Sequence, residues 1–156
     1  MSDRLWATIV AERIAEAWLA SDHPEWHAGH EAAREIAGLL REHPTPPQLS
    51  ATAAQMLRTL RDVQCSTGEP MRMQMLDNGG HGWISWHAGY VCGPQSLSVR
   101  RATFERLHRL KLIEYDKDDP NGGKLYKITP LGAAALQVYD LTDDRATNNQ
   151  HKAAAS

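Results

Sequence analysis

The stretch that decides the fold is Ser98 to Leu136, SVRRATFERLHRLKLIEYDKDDPNGGKLYKITPLGAAAL. At about 100° per residue, Val99, Thr103, Phe104, Leu107 and Leu110 share one side of a helix. Ser98, Arg101, Ala102, Glu105, His108 and Arg109 take the other side, with Arg106 near the border. The spacing predicts a helix over 98–110. Ser98 suits its start, because a serine hydroxyl accepts from an otherwise unpaired amide of the first turn. Two partly alternating runs follow, Leu112-Ile113-Glu114-Tyr115 and Leu125-Tyr126-Lys127-Ile128, on either side of Asp118-Asp119-Pro120-Asn121-Gly122-Gly123. Asn-Gly in that setting is a strong hairpin signal. Thr129-Pro130 then opens another helix with a capping hydroxyl and a proline at the first helical position. Gly132 sits in its first turn and Ala133 to Tyr139 continue it.

Charge is concentrated in the first of these helices. From Ser98 to Lys111, Arg100, Arg101, Arg106, Arg109 and Lys111 stand against Glu105 alone, a net of +4, while the whole chain is −2. Such a patch favours a phosphate backbone through counterion release, whatever the total charge. The same composition also suits the solvated face of a surface helix, so the surrounding pattern has to decide between the two.

That pattern resembles a known family. Leu107-His108-Arg109-Leu110-Lys111-Leu112-Ile113 and Tyr126-Lys127-Ile128-Thr129-Pro130-Leu131-Gly132-Ala133-Ala134-Ala135-Leu136 are similar to the paired ending of winged helix-turn-helix DNA-binding regulators of bacteria and their mobile elements. The resemblance is limited to about residues 98–136. It implies a winged helix-turn-helix fold and a DNA-binding transcriptional regulator, a homodimer that reads double-stranded DNA with the helix at about 98–110. In that reading Arg101 and Arg109 face the major groove, Ser98 and the first amides hold a phosphate, and Arg100 and Arg106 bind flanking phosphates. His108, Lys111, Lys117 and Lys124 complete the candidate DNA-binding set. Two features depart from the family: Lys111 stands where it usually has Gly, and the wing carries Asp116, Asp118 and Asp119 beside Lys117 and Lys124. Carboxylates there repel phosphate, which leaves the helix as the better candidate.

Upstream, Ser50 to Val63 reads as the first helix of the same domain, with Met56, Leu57, Leu60 and Val63 as its apolar stripe and Ser50 or Thr52 as its cap. Met71-Arg72-Met73-Gln74-Met75 and Trp83-Ile84-Ser85-Trp86 around Asp77-Asn78-Gly79-Gly80 predict an extra hairpin. Tyr90 to Leu97 could hold a short helix interrupted by Gly93-Pro94. Met71, Met73, Met75, Trp83 and Trp86 could line an apolar effector site, since Met adapts to irregular shapes; they would equally fill core.

Two more helices precede. Leu5, Trp6, Ile9, Val10, Ile14 and Trp18 recur at helical spacing, as do Ala33, Ile36, Ala37 and Leu40. The expected organisation is an N-terminal helical pair at 1–43, a Pro-rich connector at 44–49, a winged-helix domain at 50–142 and a disordered tail at 143–156, a class of α+β, mostly α. Residues 1–49 hold eight Asp/Glu against four Arg, which disfavours DNA and suits a protein surface, either the second copy of a dimer or the winged domain itself. The alternative function is therefore a winged-helix protein–protein interaction module, an assembly factor or inhibitor, using the acidic N-terminal helices and wing.

Other chemistries find little support. His23 and His27 have i, i+4 spacing, but Pro24 interrupts a regular helix through both, so no metal or cofactor is expected. Cys65 and Cys92 fall in no pairing motif and read as free thiols. Gly79-Gly80-His81-Gly82 lacks the lysine of a phosphate loop, and no nucleophile motif is present, so an enzyme is not expected. No apolar run approaches the roughly 20 residues of a membrane span and no signal peptide is apparent, so a cytoplasmic location is expected.

Overall fold

In the computed structural model, which describes residues 3–21, 25–67, 73–75, 81–84, 97–118 and 124–155, the chain is α+β and mostly α. Helices α1 (Asp3–Leu19), α2 (Glu25–Glu42) and α3 (Ala51–Thr67) are followed by strands β1 (Met73–Met75), β2 (His81–Ile84) and β3 (Leu97–Arg100). Then come α4 (Arg101–Arg109), β4 (Ile113–Asp118), β5 (Lys124–Ile128) and α5 (Pro130–Ala155). The chain divides into two units, Met1–Gln48 with Ala134–Ser156, and Leu49–Ala133.

In the first unit α1 packs on α2. Trp6, Ile9, Val10 and Ile14 are buried, the single stripe that an amphipathic helix turns to a core. The Trp6 indole donates to the His43 carbonyl at 2.8 Å, immediately after α2, where Pro44 disfavours further helix. The α2 stripe is shallower than its spacing predicts: Ile36 and Leu40 are half-buried, and Ala33 and Ala37 are exposed. Trp18 donates to Glu35 at 2.6 Å. From α5 the unit takes buried Ala134, Ala135, Leu136 and Val138, and Arg13 Nε donates to Gln137 Oε1 at 3.0 Å.

The tail differs from expectation. Residues 143–156 read as disordered and residues up to 142 as winged domain, yet α5 continues to Ala155 and from Ala134 onward it groups with the N-terminal helices. The physical reason is propagation. Once a first turn exists, each added residue gains one hydrogen bond for one pair of dihedrals, and 143–155 contains neither Gly nor Pro.

In the second unit Ser50 caps α3, its Oγ accepting from the Ala53 amide at 3.2 Å. Ala53, Ala54, Met56, Leu57 and Leu60 are buried; the Val63 side chain lies outside the described residues. The expected extra hairpin is present and has a third strand. The antiparallel order is β1-β2-β3, with Met73 opposite Ile84 and Trp83 opposite Ser98. Position 83 is also the register partner of Gln74, one step out of phase with positions 73 and 75. The side chains of Met73, Met75 and Trp83, and with them the effector site expected there, lie outside the described residues. Met71, Trp86, the Gly-rich turn and, apart from Leu97, the helix expected at Tyr90 to Leu97 lie outside the described residues.

Strands β4 and β5 form the predicted hairpin, with Ile113 opposite Ile128 and Tyr115 opposite Tyr126, and a register shift between Tyr115 and Lys117. Helix α3 packs on α4, β5 and β3.

Candidate nucleic-acid interface

Helix α4 begins later than its sequence predicts. Ser98, expected as the N-cap, lies in β3, and Arg100 takes the cap position in extended conformation with no side-chain cap hydrogen bond. Pairing with β2 occupies Leu97–Arg100, so a tertiary ladder overrides a local capping preference. Ser98 therefore does not cap α4.

The inner side of α4 is Phe104 and Leu107, both buried. At about 100° per residue, the direction opposite them is centred on Ala102 and Arg109, with Glu105 and Arg106 beside. Arg101, Ala102, Glu105, His108 and Arg109 are exposed and Arg106 is half-buried. Arg101 Nε lies 3.0 Å from Glu105 Oε1, an exposed i, i+4 pair of the kind worth about 0.3–0.5 kcal/mol. Arg100 and Arg109 make no ion pair among the described residues.

His108 is exposed but leans toward the hairpin. Its ring stacks on Phe104 with centroids 6.1 Å apart and meets Tyr126 edge-on at 5.5 Å. Tyr126 also meets Phe104 at 4.8 Å and Tyr115 at 6.0 Å. These rings hold α4 against β4 and β5. Burial pushes the Tyr126 phenol up from its ordinary pKa.

The C-terminal end of α4 is closed by backbone alone. Lys111 has φ 60, its amide donates to the His108 carbonyl, and the Leu112 amide donates to the Leu107 carbonyl, each at 3.0 Å. Leu107 and Leu112 are both wholly buried. This is a Schellman closure, with Lys111 in its left-handed position. A lysine there costs about 1–2 kcal/mol.

Thr129 and Gly132 brace that corner, roles the candidate set did not include. Thr129 Oγ1 donates to the Lys111 carbonyl at 2.6 Å and accepts from the Gly132 amide at 3.0 Å. The Thr129 amide donates to the Leu112 carbonyl at 3.1 Å. The Thr-Pro-x-Gly string was the available signal, since it unites a cap with a close backbone approach.

On the hairpin, Lys117 and Lys124 are exposed among carboxylates. Glu114 pairs with Lys127 at 3.4 Å. The exposed Tyr115 hydroxyl donates to Asp118 at 3.0 Å, and Lys124 Nζ stands 6.0 Å from the Tyr115 ring centroid. The hydrogen bond to Asp118 holds the Tyr115 phenol above its ordinary pKa. The structure thus gathers Arg100, Arg101, Arg106, Arg109 and Lys111 on one helix and its ends, and sets Lys117 and Lys124 apart on a charge-balanced hairpin.

Among the described residues no group of three or more His, Cys, Asp or Glu could hold a metal ion, and no helix is long and apolar enough to cross a membrane. Comparison with family models, curated proteins and solved structures returned no match.

Proposed function

We propose that Leu49–Ala133 is a winged helix-turn-helix head that binds duplex DNA with α4, in a homodimeric transcriptional regulator. The observation that carries this reading is the cationic face of α4, where Arg100, Arg101, Arg106, Arg109 and Lys111 accompany the single carboxylate of Glu105. Its buried seam of Phe104 and Leu107 leaves Ala102 and Arg109 at the centre of the outward side, so Arg109 is the residue for a base edge. An arginine on guanine contributes about 1–3 kcal/mol of discrimination. Arg100, Arg101 and Lys111, toward the helix ends, suit phosphates on either side and set the register. The hairpin plays a lesser part, because its lysines are matched by Glu114, Asp116 and Asp118. The acidic N-terminal helices suit self-association better than DNA, and Leu19 at the end of α1 is 86% exposed.

The test is duplex binding followed across salt. The wild-type chain is expected to lose affinity steeply as salt rises, and Arg101→Ala with Arg109→Ala to reduce the slope by about two with unchanged melting. Absence of binding to genomic fragments at low salt would overturn the reading and favour a protein-docking role for the same fold.

A further inference from the structure

We infer that Thr129 is a positioning residue for the cationic C-terminal turn of α4. The inference rests on the DNA-binding reading of that helix and adds the group that aims its end. A threonine hydroxyl has one proton and two lone pairs, so Thr129 Oγ1 donates to the Lys111 carbonyl and accepts from the Gly132 amide at the same time. One oxygen therefore closes the last turn of α4 and opens the first turn of α5.

The peptide unit joining Lys111 to Leu112 is held at both ends. Its N–H belongs to α4, through the Leu107 carbonyl, and its C=O belongs to Thr129. The next carbonyl, that of Leu112, accepts from the Thr129 amide. A non-glycine residue at positive φ persists where its surroundings over-determine it, and these bonds do so at Lys111. Thr129 carries no charge and its side chain is nearly buried, so it acts through the Lys111 backbone. It fixes the direction in which the Lys111 side chain leaves the helix end.

The discriminating measurement is the salt slope of duplex binding, taken well below the melting temperature of each variant. Thr129→Val keeps the shape and removes both hydroxyl bonds. It is expected to weaken binding severalfold and lower the slope by about one, although no charge has changed. Thr129→Ser is expected to restore affinity and slope together. A structural role alone would lower the melting temperature and leave the slope of the folded protein intact, so an unchanged slope in Thr129→Val overturns the inference. If Thr129→Val does not fold, Thr129→Ala supplies the decision, since it removes the same two hydroxyl bonds without a methyl in the place of the hydroxyl and again changes no charge. Its slope is expected to fall by about one, and an undiminished slope overturns the inference. Wild-type protein that binds no duplex removes the parent reading, whereas wild-type binding with insensitive variants removes the positioning role alone.

Discussion

The carbonyl oxygen of Leu112 occupies the space in which a Cβ on Gly132 would stand, with Ile128 Cγ1 next nearest at 3.0 Å. The obstacle is backbone, held in turn by the Thr129 amide, so it has no rotamer into which to retreat. Gly132→Ala is therefore expected to destabilise by about 3 kcal/mol, the upper end of overpacking costs. Denaturant unfolding would measure it, and a loss below about 1 kcal/mol would mean that the corner yields.

Lys111→Gly should act in the opposite sense. The left-handed conformation at φ 60 costs a lysine about 1–2 kcal/mol, partly offset by the extra unfolded-state freedom of glycine, about 0.5–1 kcal/mol. The variant is expected to be more stable by about 0.5–1 kcal/mol in thermal unfolding. A lower melting temperature would show that the lysine side chain contributes more than its backbone costs.

In the first unit the corresponding test is Trp6→Phe. Trp6 is fully buried and its indole N–H reaches the His43 carbonyl at 2.8 Å. Phenylalanine removes the donor, leaves the carbonyl without that partner and opens a void. A loss of about 2–3 kcal/mol is expected, measured as a shift in denaturant midpoint at constant m. A loss under about 0.5 kcal/mol would show that neither the bond nor the void matters there.

What the sequence made legible was local. Asn121-Gly122 announced the β4–β5 hairpin, Thr129-Pro130 the start of α5, and Ser50 the cap of α3, because each is a short-range backbone requirement. The charge of α4 followed from periodicity alone. Ser98 misled because its competitor for the backbone is β2, more than a dozen residues earlier, and no cap preference reports a distant ladder. His108 appeared to belong to the cationic face, yet its ring lies against Tyr126, a contact only tertiary packing creates. The polar and small residues after Asp143 have the composition of a disordered tail, whereas a helix already running needs only the absence of Gly and Pro to continue. Lys111 was visible as a departure from the family pattern. Its accommodation by Thr129, 18 residues later, was not.

Tyr115 predicts an alkaline transition. Its pKa is raised chiefly because the hydroxyl donates to Asp118, with desolvation and the nearby negative charge of Asp118 adding to it. The neutral phenol is the form that makes this bond. The associated stability is therefore present below the ordinary phenol pKa of about 10 and is lost as pH rises through the folded value. Asp118→Asn is expected to bring the tyrosinate absorbance titration of this residue down toward the ordinary range. An unmoved titration would assign the shift to some other neighbour.

Glu105 is the one carboxylate on the outward side of α4, and its pairing with Arg101 is exposed on both sides, 59% and 61% of the side chains being accessible. Glu105→Gln is therefore expected to alter stability by no more than about 0.5 kcal/mol. On the proposed DNA-binding reading its effect on duplex affinity is larger, because one repulsive charge disappears and Arg101 is released toward phosphate. Binding to duplex is expected to tighten severalfold at low salt, with a salt slope steeper by about one. The gain should fade toward 1 M salt, where the screening length falls to about 3 Å. Unaltered affinity at low salt would place the Arg101–Glu105 flank away from the duplex and confine contact to the Arg109 side of the helix.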